Sequence, residues 1–428
     1  MPYHQFRRRS GKGTLSMAFN ADDILQEFRI FDPPDGSPPL HYLDNAATTQ
    51  VPDCVLRVMF DHDTRHRSNA KRGIHRLARE STEALEYARS QVAGYLGVKN
   101  DQEVVFTSGT TAGINLLALS LGHGLGPGDE ILLSQLEHHS NIIPWQMLRE
   151  RLGVTLRYLP VDAEGRLELN GLDEMITEKT RLVSISHGSN VTAAITEVAP
   201  LVRCAHEKGV RVLLDGAQVA PHGPLDLPAL GPDYYVFSGH KVYGPSGVGI
   251  LWGRSECLEH LPPAFGGGEM ISHVSFEAST YLSIPHRFEA GTLPITQAIG
   301  LGAALDWLAH QNVPRVHQHL WKLTDRIMAG IADIDRGRGR VRILGPKRGE
   351  KRLPLVSFVV KNVHPHDICQ VLNDRHGVAV RGGHHCAQPL HDLWDLDGST
   401  RASLALYNRE DDVDVLLNGL DDCMRILS

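Results

Sequence analysis

The chain has 428 residues and no apolar run approaching the ~18 residues that cross a bilayer, so no membrane segment is expected. Neither sign of charge dominates it. Lys and Arg number 43 against 50 Asp and Glu, and the formal net charge of −7 is dispersed, which argues against a nucleic-acid surface. Its six cysteines (54, 204, 257, 369, 386 and 423) never form a C-x-x-C pair and do not read as a disulfide framework, so a reducing cytoplasm is expected. Neither G-x-x-x-x-G-K-[ST] nor a G-x-G-x-x-G after a first strand is present, which disfavours nucleotide binding. Internal repeats and low-complexity linkers are also lacking.

What is present is an ordinary globular balance, 42% hydrophobic and 22% charged, in a chain long enough to bury a sizeable core. Short apolar runs at Val104–Phe106, Ile131–Ser134, Leu156–Leu159, Leu182–Ser186, Val210–Leu214, Tyr234–Phe237 and Gly249–Trp252 alternate with helical segments. That alternation predicts an α/β fold with a mostly parallel sheet. Helices are expected over 77–96, from Ser108-Gly109 onward, and near 144–152, 171–178 and 197–208. The chain is helical again after Gly291-Thr292 to about 330. A smaller α/β unit begins near 341, with strands at Val356–Val360 and Val378–Val380 around a helix at His366–Arg375, and a closing helix from Asp411.

The expected division is a large domain over 41–310 and a small domain over 311–428 that carries the Cys386 loop and is joined by residues 17–40. Residues 1–16 hold Arg7-Arg8-Arg9 and Lys12 but no acid and no secretory apolar core. They are expected to be a disordered extension, with Met17 as the functional start.

The polar residues that carry chemistry cluster at strand ends. Asp215 directly follows a buried strand, where an acid is costly unless paired. Lys241, in Ser238-Gly239-His240-Lys241, stands 26 residues further on, at the end of the next strand. A lysine amine and a carboxylate so placed are what pyridoxal phosphate (PLP) chemistry requires: the amine carries the aldehyde and the acid keeps the pyridine nitrogen protonated. Thr107-Ser108-Gly109-Thr110-Thr111 opens a helix whose N–H groups and hydroxyls suit a phosphate. Far downstream, Arg381-Gly-Gly-His-His-Cys386-Ala-Gln-Pro389 offers a cysteine nucleophile. His384, His385 and Cys386 are also metal-ligand types, but consecutive residues rarely build a tetrahedral site and no second cluster has the usual spacing, so no metal is expected.

With Tyr42-Leu-Asp-Asn-Ala-Ala-Thr-Thr49, Arg72-Gly-Ile-His75, Glu137-His-His-Ser-Asn141, Asp215-Gly-Ala-Gln218, Arg287-Phe-Glu-Ala-Gly-Thr292 and Arg401-Ala-Ser in this order, the chain resembles the class V aminotransferase-fold PLP enzymes. It is most similar to their Suf-type (group II) cysteine desulfurase and selenocysteine lyase branch. The resemblance runs from about Tyr42 to the C-terminus and implies fold type I of the PLP-dependent transferases.

It further implies Lys241 as the Schiff-base lysine and proton shuttle, Asp215 as pyridinium partner, Gln218 as donor to the ring hydroxyl and His138 as the residue stacked on the ring. Thr110, Thr111, Ser238 and His240 become the phosphate grip, with Thr292 arriving from the other subunit of a homodimer. Asn190, Arg381 and Arg401 become the substrate-carboxylate clamp, since a planar bidentate arginine suits a carboxylate, and Asn45 and His75 line the same pocket. Cys386 becomes the sulfur-accepting nucleophile, and the other five cysteines are expected to be buried apolar residues.

The expected activity is conversion of L-cysteine to L-alanine with a persulfide on Cys386, passed to a sulfur-acceptor protein for iron–sulfur cluster assembly. The alternatives are a selenocysteine lyase acting on L-selenocysteine, another PLP-dependent C–S lyase, or an inactive PLP-fold scaffold. Three departures from the family pattern, Ala193-Ala194 after Ser189-Asn190-Val191-Thr192, Gly382 before the Gly-His-His-Cys run and Leu293 after Gly-Thr, remove no catalytic group.

Overall fold

The computed structural model describes residues 19–32, 36 and 39–427. Residues 1–16, Met17 and part of the 17–40 segment therefore lie outside the described residues.

Seven strands form the large sheet: β1 (Val104–Thr107), β2 (Glu130–Ser134), β3 (Thr155–Leu159), β4 (Thr180–Ser186), β5 (Arg211–Asp215), β6 (Tyr234–Ser238) and β7 (Gly249–Gly253). Their spatial order is β1-β7-β6-β5-β4-β2-β3. Only β7 runs against the rest, pairing antiparallel with both β1 and β6. Side chains of β1, β6 and β7 are buried at every position, which is why these segments read as continuous apolar runs rather than alternating ones.

A second, fully antiparallel sheet combines β8 (Val341–Leu344), β9 (Leu355–Val360), β10 (Arg381–Gly383) and β11 (Ser399–Ser403) in the order β8-β9-β11-β10. Near the N-terminus His41–Tyr42 pairs in parallel with Val378–Ala379, stitching the start of the described chain to its last quarter. Between the two sheets in chain order come helices Ile295–Ala309 and Val313–Asp335. Asn312 accepts from Arg315 N at the start of the second, and Arg336, in a left-handed conformation, stops it.

One apolar core reaches from Val212 and Leu214 on β5 to Val356 and Phe358 on β9 and Leu416 on the closing helix Glu410–Ile426. Where Tyr243 leaves the Lys241 loop, it meets Phe28, Trp307 and Tyr407 edge-on or tilted, with ring centroids 5.3–6.4 Å away. Phe28 lies 4.7 Å from Tyr407. Phe28, Tyr243 and Tyr407 are all buried.

The predicted elements fall where the periodicity placed them, with one contraction. The helix expected over 171–178 is a single turn, Leu172–Met175, because Ile176 turns extended and Thr180 Oγ1 accepts from Thr177 N.

Candidate active site

Five parallel strands end on one cavity of about 250 Å³, the crevice expected outside the carboxyl ends of such strands. Lys241 and Cys386, 145 positions apart in the chain, both line it. So do Thr110, Thr111, His138, Asn190, Asp215, Gln218, Ser238, His240, Arg381 and Arg401.

At the floor, β5 delivers Asp215, which is 5% exposed; burial pushes its carboxyl up and Lys241 opposes that. Its Oδ1 accepts from Ala217 N at 2.9 Å. The intervening Gly216 is required, since a Cβ there would lie 2.0 Å from the Tyr235 ring. Burial lowers the Lys241 amine to about 8, with Asp215 acting to raise it. The desolvated amine thereby has a far larger neutral share at physiological pH than an ordinary lysine, which a nucleophilic lysine needs.

Ser238 ends β6 and meets the helix Thr110–Gly122: its hydroxyl accepts from Thr110 N at 2.9 Å and lies 2.8 Å from Thr110 Oγ1. Two hydroxyls and the helix N-terminus thus converge on one corner. His138 follows β2. Burial, then Lys241, lowers its ring to about 3, so it is neutral. Ser140 N donates to its Nδ1 at 3.1 Å, which leaves the ring proton on Nε2. Beneath it Glu137 is fully buried but satisfied: its carboxylate accepts from Ser134 Oγ, Asn141 Nδ2, Ser186 N and Ser186 Oγ.

The Cys386 loop is held by its neighbours rather than by regular structure. His385 and Cys386 both have positive φ, 52° and 56°, at a cost of about 1–2 kcal/mol each. Three hydrogen bonds oppose that cost: Asn190 Nδ2 donates to His385 O at 2.7 Å, His139 N to Cys386 O at 2.7 Å, and Ala387 N to His384 O at 2.9 Å. At about 1 kcal/mol apiece they are of the same size as that cost. Cys386 itself is exposed. Burial pushes the thiols of Cys257 and Cys423 up to about 11 and Cys369 to about 12, and raises Cys204.

The arginines are already paired. Arg381 Nε reaches Asp44 Oδ2 at 3.0 Å and Oδ1 at 3.2 Å, and Arg401 Nη2 reaches Asp44 Oδ1 at 3.1 Å. Arg401 Nη1 donates to Asn190 O, while its Nε is buried with no partner among the described residues. A buried donor left over in a cavity wall is a place for a ligand oxygen.

Several sequence expectations fall elsewhere. Asn45 does not line this cavity. Its amide is spent on Tyr42 O, Ser403 O and Asn408 Oδ1, and its oxygen accepts from Tyr407. Exposed His75 caps the helix Arg76–Tyr95 by accepting from Ala78 N. Thr292 lines a separate cleft with Asn69, Leu293 and Ile295. One Gln218 N–H is occupied by Ala46 O, leaving the other free to donate. Cys54 is exposed rather than buried, because it sits on the solvent side of the helix Asp53–Asp61, and Cys204 and Cys369 are half-buried. Sequence reasoning assigned no role to Asp44 or His139, though both stand inside motifs it singled out. An acid that ends up between two downstream arginines leaves no local signal. Among the described residues, no three His, Cys, Asp or Glu side chains are grouped to hold a metal, and no helix is long and apolar enough to cross a membrane.

A protein from Streptomyces coelicolor named a probable cysteine desulfurase is 43% identical over 409 residues, covering 94% of this chain and 96% of the relative. The crystal structure of the cysteine desulfurase CsdA from Escherichia coli superposes with a TM-score of 0.87 at 36% identity, over 96% of this chain and 100% of that one. An apo cysteine desulfurase from Thermococcus onnurineus gives 0.89 at 34% identity, over 96% and 99%. At that likeness the chain shares their fold, the α/β fold type I of the PLP-dependent transferases. The family model described as aminotransferase class-V matches residues 41–416, and the chain is a member of that family.

Proposed function

We propose that the protein is a PLP-dependent cysteine desulfurase that converts L-cysteine to L-alanine and carries the sulfur as a persulfide on Cys386. The observation behind this reading is that Lys241, with Asp215 beside it, and Cys386 line one cavity together with Arg381 and Arg401. The residues fit the cofactor: a buried amine and acid for its ring, and the Thr110–Ser238 hydroxyls at a helix N-terminus for its phosphate, joined by Thr111 and His240. When bound, PLP supplies the electron sink that loosens the bond between the β-carbon and sulfur of the substrate.

The protein's own groups do the rest. Lys241 would hold the cofactor through its amine and move the α-proton, Asp215 would keep the ring nitrogen protonated, and Gln218, with one N–H free, would donate to the ring hydroxyl. His138, neutral and fixed by Ser140, would support the ring. Arg401, Arg381 and Asn190 orient the substrate carboxylate. The Cys386 thiolate attacks the substrate sulfur: the new S–S bond forms as the C–S bond breaks, and a proton on the β-carbon completes alanine.

Thr292 belongs, in this reading, to the partner's site in a homodimer. The persulfide passes to a sulfur-acceptor protein at the surface around residues 382–398, in the cytoplasm, for iron–sulfur cluster assembly. The test is purified holoenzyme given L-cysteine or L-selenocysteine, with alanine assayed and Cys386 weighed by mass spectrometry. A 32-dalton gain on Cys386 with stoichiometric alanine is expected from cysteine, to within about one dalton for one added sulfur. Alanine from selenocysteine alone, without that gain, overturns the proposal in favour of a selenocysteine lyase.

A further inference from the structure

Resting on the carboxylate clamp just proposed, we infer that Asp44 is a specificity-determining residue: it sets the clamp's net charge and thereby selects a singly charged acid group on the substrate. Arg401 is 2% exposed at its side chain, Asp44 16% and Arg381 46%, so the three form a graded cluster from the interior to the cavity mouth. The Asp44 carboxylate lies between the two guanidiniums, accepting from Arg381 Nε through both oxygens and from Arg401 Nη2 through Oδ1. Arg381 Nη2 also stands 3.0 Å from its Oδ2.

Two fixed cations and one fixed anion leave one positive charge. One donor, Arg401 Nε, is buried and uncommitted among the described residues. A bare arginine pair would be matched to two negative charges. With Asp44 present, the match is to one, which is what an α-carboxylate carries and a dianionic group exceeds. Asp44 does not touch the reacting atoms. It acts through the arginines, by cancelling one charge and by fixing both forks.

The experiment is a charge ladder on the PLP-loaded protein. Binding of L-alanine and of its phosphonate analogue, L-1-aminoethylphosphonate, is measured by calorimetry at a pH where the phosphonate is doubly ionised. The clamp carries one net positive charge in the wild type, two in Asp44→Asn and none in Arg381→Gln. The expected ratio of phosphonate to alanine dissociation constants falls at least about tenfold in Asp44→Asn, rises at least about tenfold in Arg381→Gln, and stays at the wild-type value in Asp44→Glu.

A role confined to packing would weaken both ligands together and leave the ratio still. A ratio constant within about twofold along the ladder, with alanine still bound, overturns this inference and leaves the clamp standing. Wild-type protein that binds neither ligand overturns the clamp and the inference with it. Should Asp44→Asn fail to fold, Asp44→Ser, which removes the same charge, is read in its place: a falling ratio supports the charge match and an unchanged one overturns it.

Discussion

At the scale of single residues, Lys241 makes the most direct prediction. A lysine lowered to about 8 is roughly one-tenth neutral at pH 7, against less than about a thousandth for an ordinary lysine. The neutral amine is the reactive form and grows as pH rises. The rate at which apoprotein takes up PLP, followed by visible absorbance, is therefore expected to climb through a midpoint near 8 rather than above 10. Lys241→Ala should lose that absorbance and fall at least about a thousandfold in alanine output. Cys386→Ser is expected to keep the absorbance and still bind cysteine, yet release no alanine above background. Unchanged alanine would remove Cys386 from the nucleophile's role. These residues were legible because strand ends are written locally, as in the apolar run of β5 followed at once by Asp215. Asp44 was not, because its partners Arg381 and Arg401 lie 337 and 357 positions away, and only the fold brings them together.

Elements tell a similar story of what local pattern does and does not carry. Strands β1, β6 and β7 could be read because every position is apolar or small and buried. Strand β11, Ser-Thr-Arg-Ala-Ser, is just as buried but polar, so its composition suggests a loop; burial there is sustained by hydrogen bonds and by the Arg401–Asp44 pair. The hairpin Ile271–Val274 with Ser279–Tyr281 is largely exposed on both faces and has no periodicity to find. The loop carrying Cys386 is an element of this second kind, shaped by its partners. Asn190→Ala removes the hydrogen bond to His385 O while leaving the backbone acceptor for Arg401 in place. Persulfide formation on Cys386, timed by quenched mass spectrometry, is expected to slow about tenfold, with a stability loss near 1 kcal/mol in urea unfolding. A rate equal to wild type would mean the loop keeps its left-handed turn unaided.

For the whole molecule, the proposed homodimer predicts complementation. Mixed dimers of Lys241→Ala and Thr292→Ala subunits should recover activity, up to about half of wild type, because one site then holds both residues. Parent proteins that stay inactive on mixing would place Thr292 outside the partner's site. The ring cluster of Phe28, Tyr243 and Tyr407 limits how the molecule can move. Swinging the two sheets apart would wet three buried aromatic side chains of 150–250 Å² each, at roughly 10–20 kcal/mol. An amino acid bound at millimolar strength returns only about 4 kcal/mol. Substrate cannot drive such an opening, so small-angle scattering should give the same radius with and without alanine. The two sheets are thus riveted to each other by aromatic rings, and the graded arginines at the entrance are left to sort what comes in.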